Sequence, residues 1–322
     1  MMRLNARNLY SLFRSFFAVQ LLLLAFLGGS AAAEAKDRQP ALQASQLHPL
    51  LWEVKGAGSS VFLFGSIHVA RQDFYPLPDY VEKAYKGADM LAVEVDPSAP
   101  DVAGRMLPFL TYGAKDDLQK HLSPETWKKL SQKLGPSVEQ IKTLKPAMLS
   151  VVMAVGLYGD LGYKSEAGID LHFLSRAKAD KKNIIELESI EFQASVLGGL
   201  EDKDAEAMLA DVLNGFETGE AAEYVNSLVK AWSSGDADGL IELLAKEAGK
   251  DPGSARVMKL LIEDRNPQMA NKIGQLLKDG KNVFVVVGAG HLVGKGSIVE
   301  LLQKQGLNVK RIEQIEQIER SK

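Results

Sequence analysis

Phe62-Leu63-Phe64-Gly65-Ser66-Ile67-His68 and, more than two hundred residues later, Phe284-Val285-Val286-Val287-Gly288-Ala289-Gly290-His291 follow one plan. In each, an apolar run of strand length enters G-x-x-H, after which a helical pattern resumes. In parallel α/β sheets the loops at the carboxyl ends of the strands line the ligand crevice, so this plan brings two imidazoles to one functional edge. Glycine there lets the backbone turn sharply and come close to a ligand. Either histidine alone could simply cap its loop. Two after matching strands, in a chain with only five histidines, point to a shared site.

Outward from the first run, Leu51–Lys55 and Val61–Ile67 flank Gly56-Ala57-Gly58-Ser59-Ser60, a β-hairpin signal. A helix is expected from about Pro78 to Lys86 and a buried strand at Met90–Val95, a β-α-β unit whose strands pair in parallel through a right-handed crossover. Residues 101–279 read as mainly helical, with breaks at Pro124, Pro136, Gly168, Gly219, Gly235 and Pro252 and one strand at Asn183–Leu187. A strand at Asn282–Val287, a helix over Ser297–Gln305 and a strand at Leu307–Ile312 close the chain. The fold class is therefore α/β: a central sheet built from both chain ends, with a large helical middle segment packed on it or capping it. That domain spans residues 51–312, and 313–322 form a tail.

The N-terminus has the three parts of a secretory signal: Arg3, Arg7 and Arg14 without an acid, an apolar run from Phe16 to Leu27, then Ala31-Ala32-Ala33. Cleavage after Ala33 is expected, followed by a flexible mature start over 34–50. The apolar run is shorter than the roughly 20 residues that span a bilayer, so no stable membrane anchor should remain. Without cysteine there is no disulfide framework, thiolate nucleophile, lipid-modified cysteine or thiolate metal site. Losing three arginines moves the formal charge from −3 to −6, which argues against nucleic acid or an anionic membrane as partner. An exported protein, periplasmic or extracellular, is the expectation.

Glu94 lies inside Met90-Leu91-Ala92-Val93-Glu94-Val95, where a buried carboxylate requires a partner. With His68 and His291 it makes a set of two imidazoles and a carboxylate, which suits zinc, manganese, cobalt or iron(II) with positions left for water. Asp170 reads as the N-cap of a helix over Leu171–Lys178, and Asn266, before Pro267, as the N-cap of the next. Glu186 and Glu188 alternate around Leu187 at a strand end; either could reach the same edge or face solvent. Arg265 could hold a substrate carboxylate or pair with Glu263 or Asp264. His48, His121 and His172 read as structural. Ser66 lacks the G-x-S-x-G elbow of a serine hydrolase, and there is no P-loop or dinucleotide fingerprint.

Phe62–His68, Glu94, Gly168-Ile169-Asp170, Leu187-Glu188 with Gln193, Arg265-Asn266 with Met269-Ala270, and Gly288–Leu292 resemble the TraB/GumN family in order and spacing. The likeness covers roughly Leu51 to Ile312. The family is similar to Tiki-type metalloproteases and, more distantly, to the erythromycin esterase and ChaN-like fold. The resemblance implies a divalent metal, manganese or cobalt, and peptide-bond hydrolysis, with His68, Glu94 and His291 at the motif positions; through ChaN it implies haem binding as the alternative. The expectation is thus an exported metal-dependent hydrolase, a peptidase acting on a peptide or small-molecule substrate. Asp170 or Glu188 would complete or orient the metal site, and Arg265 or Asn266 would steady the substrate or its oxyanion. A non-catalytic haem- or peptide-binding protein is the second reading, and an envelope-associated interaction protein with a degenerate site the third.

Overall fold

The computed structural model describes residues 47–312. Residues 1–33, expected to be a signal segment, the stretch 34–46 and the tail 313–322 lie outside the described residues. Residues 47–50, expected to be part of a flexible start, are instead anchored: Leu47 and Leu50 are fully buried, and the His48 amide donates to the Ser233 carbonyl at 2.6 Å.

Six strands form one sheet: β1 (Leu51–Lys55), β2 (Ser60–Ser66), β3 (Met90–Val93), β4 (Asn183–Glu186), β5 (Val283–Gly288) and β6 (Asn308–Arg311), in the order β4-β3-β5-β2-β1-β6. The hairpin β1–β2 is antiparallel, as is β1–β6, whereas β2–β5, β5–β3 and β3–β4 are parallel. The sheet therefore draws on both chain ends. One expectation fails, because β2 and β3 do not pair with each other; β5 lies between them. All six residues of β5 are buried, the signature of a strand covered on both faces and flanked on both edges. A strand of that kind belongs at the centre, whatever its position in the chain.

This insertion sets the register that matters for the site. Ser66 at the end of β2 pairs with Gly288 at the end of β5, so the two G-x-x-H loops leave the sheet side by side. Beyond β3 and β4 the ladder continues, with the Leu187 amide on the Val93 carbonyl and the Glu188 amide on the Glu94 carbonyl, at 2.8 and 2.9 Å. Glu94 and Glu188 thus emerge together at the same edge.

Helices cover the sheet. Phe64 and Phe284, in adjacent strands, stack with ring centroids 5.7 Å apart, and Phe173 of the helix Ile169–Ala179 and Tyr85 of the helix Asp79–Gly87 close over them. The helices Asn266–Lys278 and Ile298–Lys304 pack on each other and reach β2 and β6 respectively. In the middle segment, Gly219 and Gly235 adopt left-handed backbone at helix ends, while Pro124 and Pro252 open helices, as their positions suggested. From the helix Glu220–Ser234, the Trp232 indole N–H donates to the Gly65 carbonyl at 2.8 Å and ties this segment to the first G-x-x-H loop. Among the described residues no helix is long and apolar enough to cross a membrane.

Candidate functional site

The carboxyl edge of β2, β5, β3 and β4 holds a buried polar cluster. His68, two residues past β2, is 5% exposed, and its Nδ1 lies 2.7 Å from Asp170 Oδ2. The other carboxylate oxygen of Asp170 accepts from the Ser66 hydroxyl at 2.7 Å. Asp170 is not the helix cap that its sequence context suggested. The helix begins at Ile169 with Gly168 as cap, and Asp170, in the first turn, spends its side chain on the strand end opposite. Gly168 permits that approach: a Cβ there would sit 2.3 Å from the His68 carbonyl oxygen.

His291 ends the short 3₁₀ turn Ala289–His291 after β5 and is fully buried. Its Nδ1 faces Asn266 Oδ1 at 2.6 Å, while Asn266 Nδ2 donates to the Gly296 carbonyl at 2.8 Å. Asn266 was expected to cap its helix or steady a substrate, but it is 1% exposed and holds an imidazole. Among the described residues, neither His68 Nε2 nor His291 Nε2 has a hydrogen-bond partner, although both are buried.

Glu94 lies between the imidazoles and a buried ionic knot. Its Oε1 accepts from the Gly288 amide at 2.9 Å and stands 3.8 Å from His291 Nε2. Its Oε2 accepts from Arg265 Nη2 at 2.6 Å and from Gln193 Nε2 at 3.2 Å. Arg265, 3% exposed, also grips Glu188 with Nε and Nη2, and its Nη1 donates to the Leu261 carbonyl at 2.9 Å. Arg265 thus pairs with Glu94 and Glu188 rather than with its sequence neighbours Glu263 or Asp264. Glu188 is likewise taken up by Arg265 and by Gln193, which donates to it at 2.8 Å. Glu186 turns away and accepts from the Asp96 amide. The residues just before Arg265, Lys259–Glu263, form a π-helical turn, a feature that often marks functional sites.

The electrostatics follow from this geometry. Burial pushes the Glu94 carboxyl upward, but the charge of Arg265, the two imidazoles and the Gly288 amide outweigh it and bring it down to about 2. Burial drives the His291 imidazole down to about 3, against the pull of Glu94. For His68 burial acts in the same direction, yet the charge and hydrogen bond of Asp170 win and raise it above its ordinary value. The mutual influence of His68, Glu94, Arg265 and His291 in these balances places them in one cluster. Glu94, Glu188 and Asp170 against Arg265 leave a surplus of negative charge when both imidazoles are neutral. Among the described residues, no group of three or more His, Cys, Asp or Glu side chains forms a ready-made metal cage. The carboxylates of Glu188 and Asp170 and both oxygens of Glu94 already accept hydrogen bonds.

The cluster lies within residues 50–311, a span that matches a family model described as TraB/PrgY/gumN family. The chain belongs to the TraB/PrgY/gumN family. Both G-x-x-H loops, Glu94, Glu188, Gln193 and Arg265-Asn266 lie inside the span shared with that family. The chain is 31% identical over 244 residues to YbaP of Escherichia coli strain K12, described as uncharacterized, covering 75% of this chain and 87% of that protein. YbaP of Shigella flexneri matches with the same identity and coverage. No solved structure matches the chain.

The role of Gln193 was not legible from sequence. Its only signal was its spacing after Glu188, and its amide proves to bridge Glu94 and Glu188. Ser66, considered only as a nucleophile, instead buttresses Asp170.

Proposed function

We propose that this TraB/PrgY/gumN protein is an exported, divalent-metal-dependent hydrolase acting on a peptide or small-molecule substrate. One observation carries the reading: two buried imidazoles each have Nδ1 held by a side chain and leave Nε2 without a partner. Metal-binding histidines are typically held in this way, their second nitrogen fixed by a carboxylate or carbonyl. The donors fit a borderline divalent ion such as manganese, cobalt or zinc, and the negative surplus of the cluster fits a cation. His68 and His291 would hold the ion, with Glu94 Oε1, which faces His291 Nε2 and accepts one hydrogen bond from the Gly288 amide, as the nearest carboxylate oxygen. When bound, it would supply Lewis acidity and an acidified water.

The remaining residues support that set without touching a substrate. Asp170 and Asn266 orient the imidazoles, and Arg265 keeps Glu94 ionised while balancing Glu188. Gln193 spaces the two glutamates. With both imidazoles covered, a substrate gains access only when a covering segment moves.

Metal analysis of the purified mature protein, repeated for His68→Ala, His291→Ala and their combination, tests the reading. A stoichiometric ion in the wild type, lost in the double variant together with metal-dependent peptide hydrolysis, is the expected result. Full metal content in the double variant would overturn it. A haem absorbance band on haemin titration, removed by the same substitutions and unaccompanied by divalent-ion binding, would put the binding-protein reading in its place.

A further inference from the structure

A relay of hydrogen bonds that begins outside the cluster ends on His291. Ser297 caps the helix Ile298–Lys304, its hydroxyl accepting the Glu300 amide at 3.2 Å, and the Glu300 carboxylate reaches back to the Gly296 amide at 2.5 Å. This resembles a capping box whose return bond falls one residue early. Gly296, at φ +72°, takes the left-handed backbone that glycine favours, and its carbonyl accepts from Asn266 Nδ2 at 2.8 Å.

That contact fixes which way the Asn266 amide points. A carbonyl can only accept, so the nitrogen end of the amide must face Gly296 and the oxygen end must face His291 Nδ1, 2.6 Å away. Two acceptors cannot share a hydrogen bond, so Nδ1 carries the hydrogen. A hydrogen on Nε2 as well would be a buried N–H without a hydrogen-bond acceptor among the described residues, since the nearest acceptor, Glu94 Oε1, stands 3.8 Å away.

We infer that Asn266 is a positioning residue that locks His291 in its Nδ1–H tautomer, leaving Nε2 a bare lone pair, with the Gly296 carbonyl and Glu300 fixing the sense of the amide. Asp170 imposes the same tautomer on His68 more simply, because a carboxylate can only accept. The consequence for metal binding rests on the hydrolase reading; the tautomer itself does not. The His291 lone pair is in place before any ion arrives, and the far end of its anchor lies in the helix after the second G-x-x-H loop.

The test uses ¹⁵N-labelled, metal-free full-length mature protein, with long-range ¹H–¹⁵N spectra reading the protonated nitrogen of His291, alongside Zn²⁺ titration. Wild type is expected to show Nδ1–H. Asn266→Asp, which can still accept from Nδ1–H, keeps that tautomer, whereas Asn266→Ala releases it into a mixture with Nε2–H and weakens Zn²⁺ binding by about 10- to 100-fold. Glu300→Ala, at the far end of the relay, produces the same changes in weaker form. Nε2–H in the wild type would overturn the inference, and so would an Asn266→Ala protein with the wild-type tautomer. If Asn266→Ala does not fold, the wild-type and Asn266→Asp spectra decide the matter. Nδ1–H in a wild-type protein that binds no Zn²⁺, Mn²⁺ or Co²⁺ would uphold the tautomer lock and remove the hydrolase reading.

Discussion

Arg265→Met keeps a long side chain in the buried channel and removes its charge. Glu94 and Glu188, 5% and 4% exposed, then lose four contacts from the guanidinium and remain without a cation beside them. Removing one partner of a buried ion pair costs about 3–5 kcal/mol, because the charge left behind is neither solvated nor neutralised. Set against a folding free energy of about 5–15 kcal/mol for a typical domain, that is about a fifth of the total or more.

The loss also has a pH signature. In the wild type Glu94 sits near 2 against an ordinary 4.5, so its stabilising contribution is present above the ordinary value and disappears as pH falls through about 2. Without Arg265 its carboxyl rises above the ordinary value, and protonation then stabilises the variant as pH falls. The gap between the two proteins should therefore narrow as the medium is acidified. Urea unfolding of chelator-treated protein, followed by circular dichroism at about pH 7 and about pH 4.5, measures it. Glu188→Gln in the same background should recover part of the deficit, giving a coupling of about 0.5–3 kcal/mol in the double-mutant cycle. A deficit below about 1 kcal/mol at pH 7, or one that widens in acid, would refute the reasoning, because it would mean the guanidinium does not neutralise the buried carboxylates.

Further outcomes follow from the same contacts. His291 is held neutral, down to about 3 against an ordinary 6.5, so its contribution is complete above pH 6.5 and is lost as pH falls toward 3. The slope of stability against pH in that window, at most about 1.4 kcal/mol per pH unit for one group, should be shallower in His291→Gln, and equal slopes would contradict the burial argument. Gly168→Ala places a methyl group 2.3 Å from the His68 carbonyl oxygen, so a loss of about 1–3 kcal/mol, read by thermal unfolding, and weaker metal retention are expected. Purification from an intact host should yield a chain beginning at Glu34; N-terminal sequencing that finds Met1 or Met2 in a cytosolic fraction would remove the export reading.

Much of the fold could be read along the chain because it is written in local terms. Alternating and continuous apolar runs gave the hairpin and the buried strands, and glycine and proline marked the helix ends at 219, 235, 124 and 252. The two G-x-x-H loops could be recognised because each follows a strand of the same type. What failed was neighbourhood. The fact that β5 separates β2 from β3 is set by which strand most needs cover on both faces and both edges, a comparison between segments two hundred residues apart that no window can make.

For the site, residue type and spacing were enough to select His68, Glu94 and His291, because a carboxylate in an apolar run and histidines at strand ends demand partners wherever they fall. The roles of the others depended on distances that exist only in the folded chain. Asp170 beside Gly168 and Asn266 before Pro267 look like helix caps, because cap chemistry and the support of an imidazole use the same side-chain oxygen. Arg265 next to acids at 263 and 264 looks like a surface residue, yet it lies 3% exposed between Glu94 and Glu188, 171 and 77 residues away in the chain. The sequence by itself determined that a carboxylate in an apolar run, Glu94, would be buried and polar; only the tertiary structure decided which groups joined and satisfied it, since a buried charge is stabilised by whichever opposite charge the packing brings within reach.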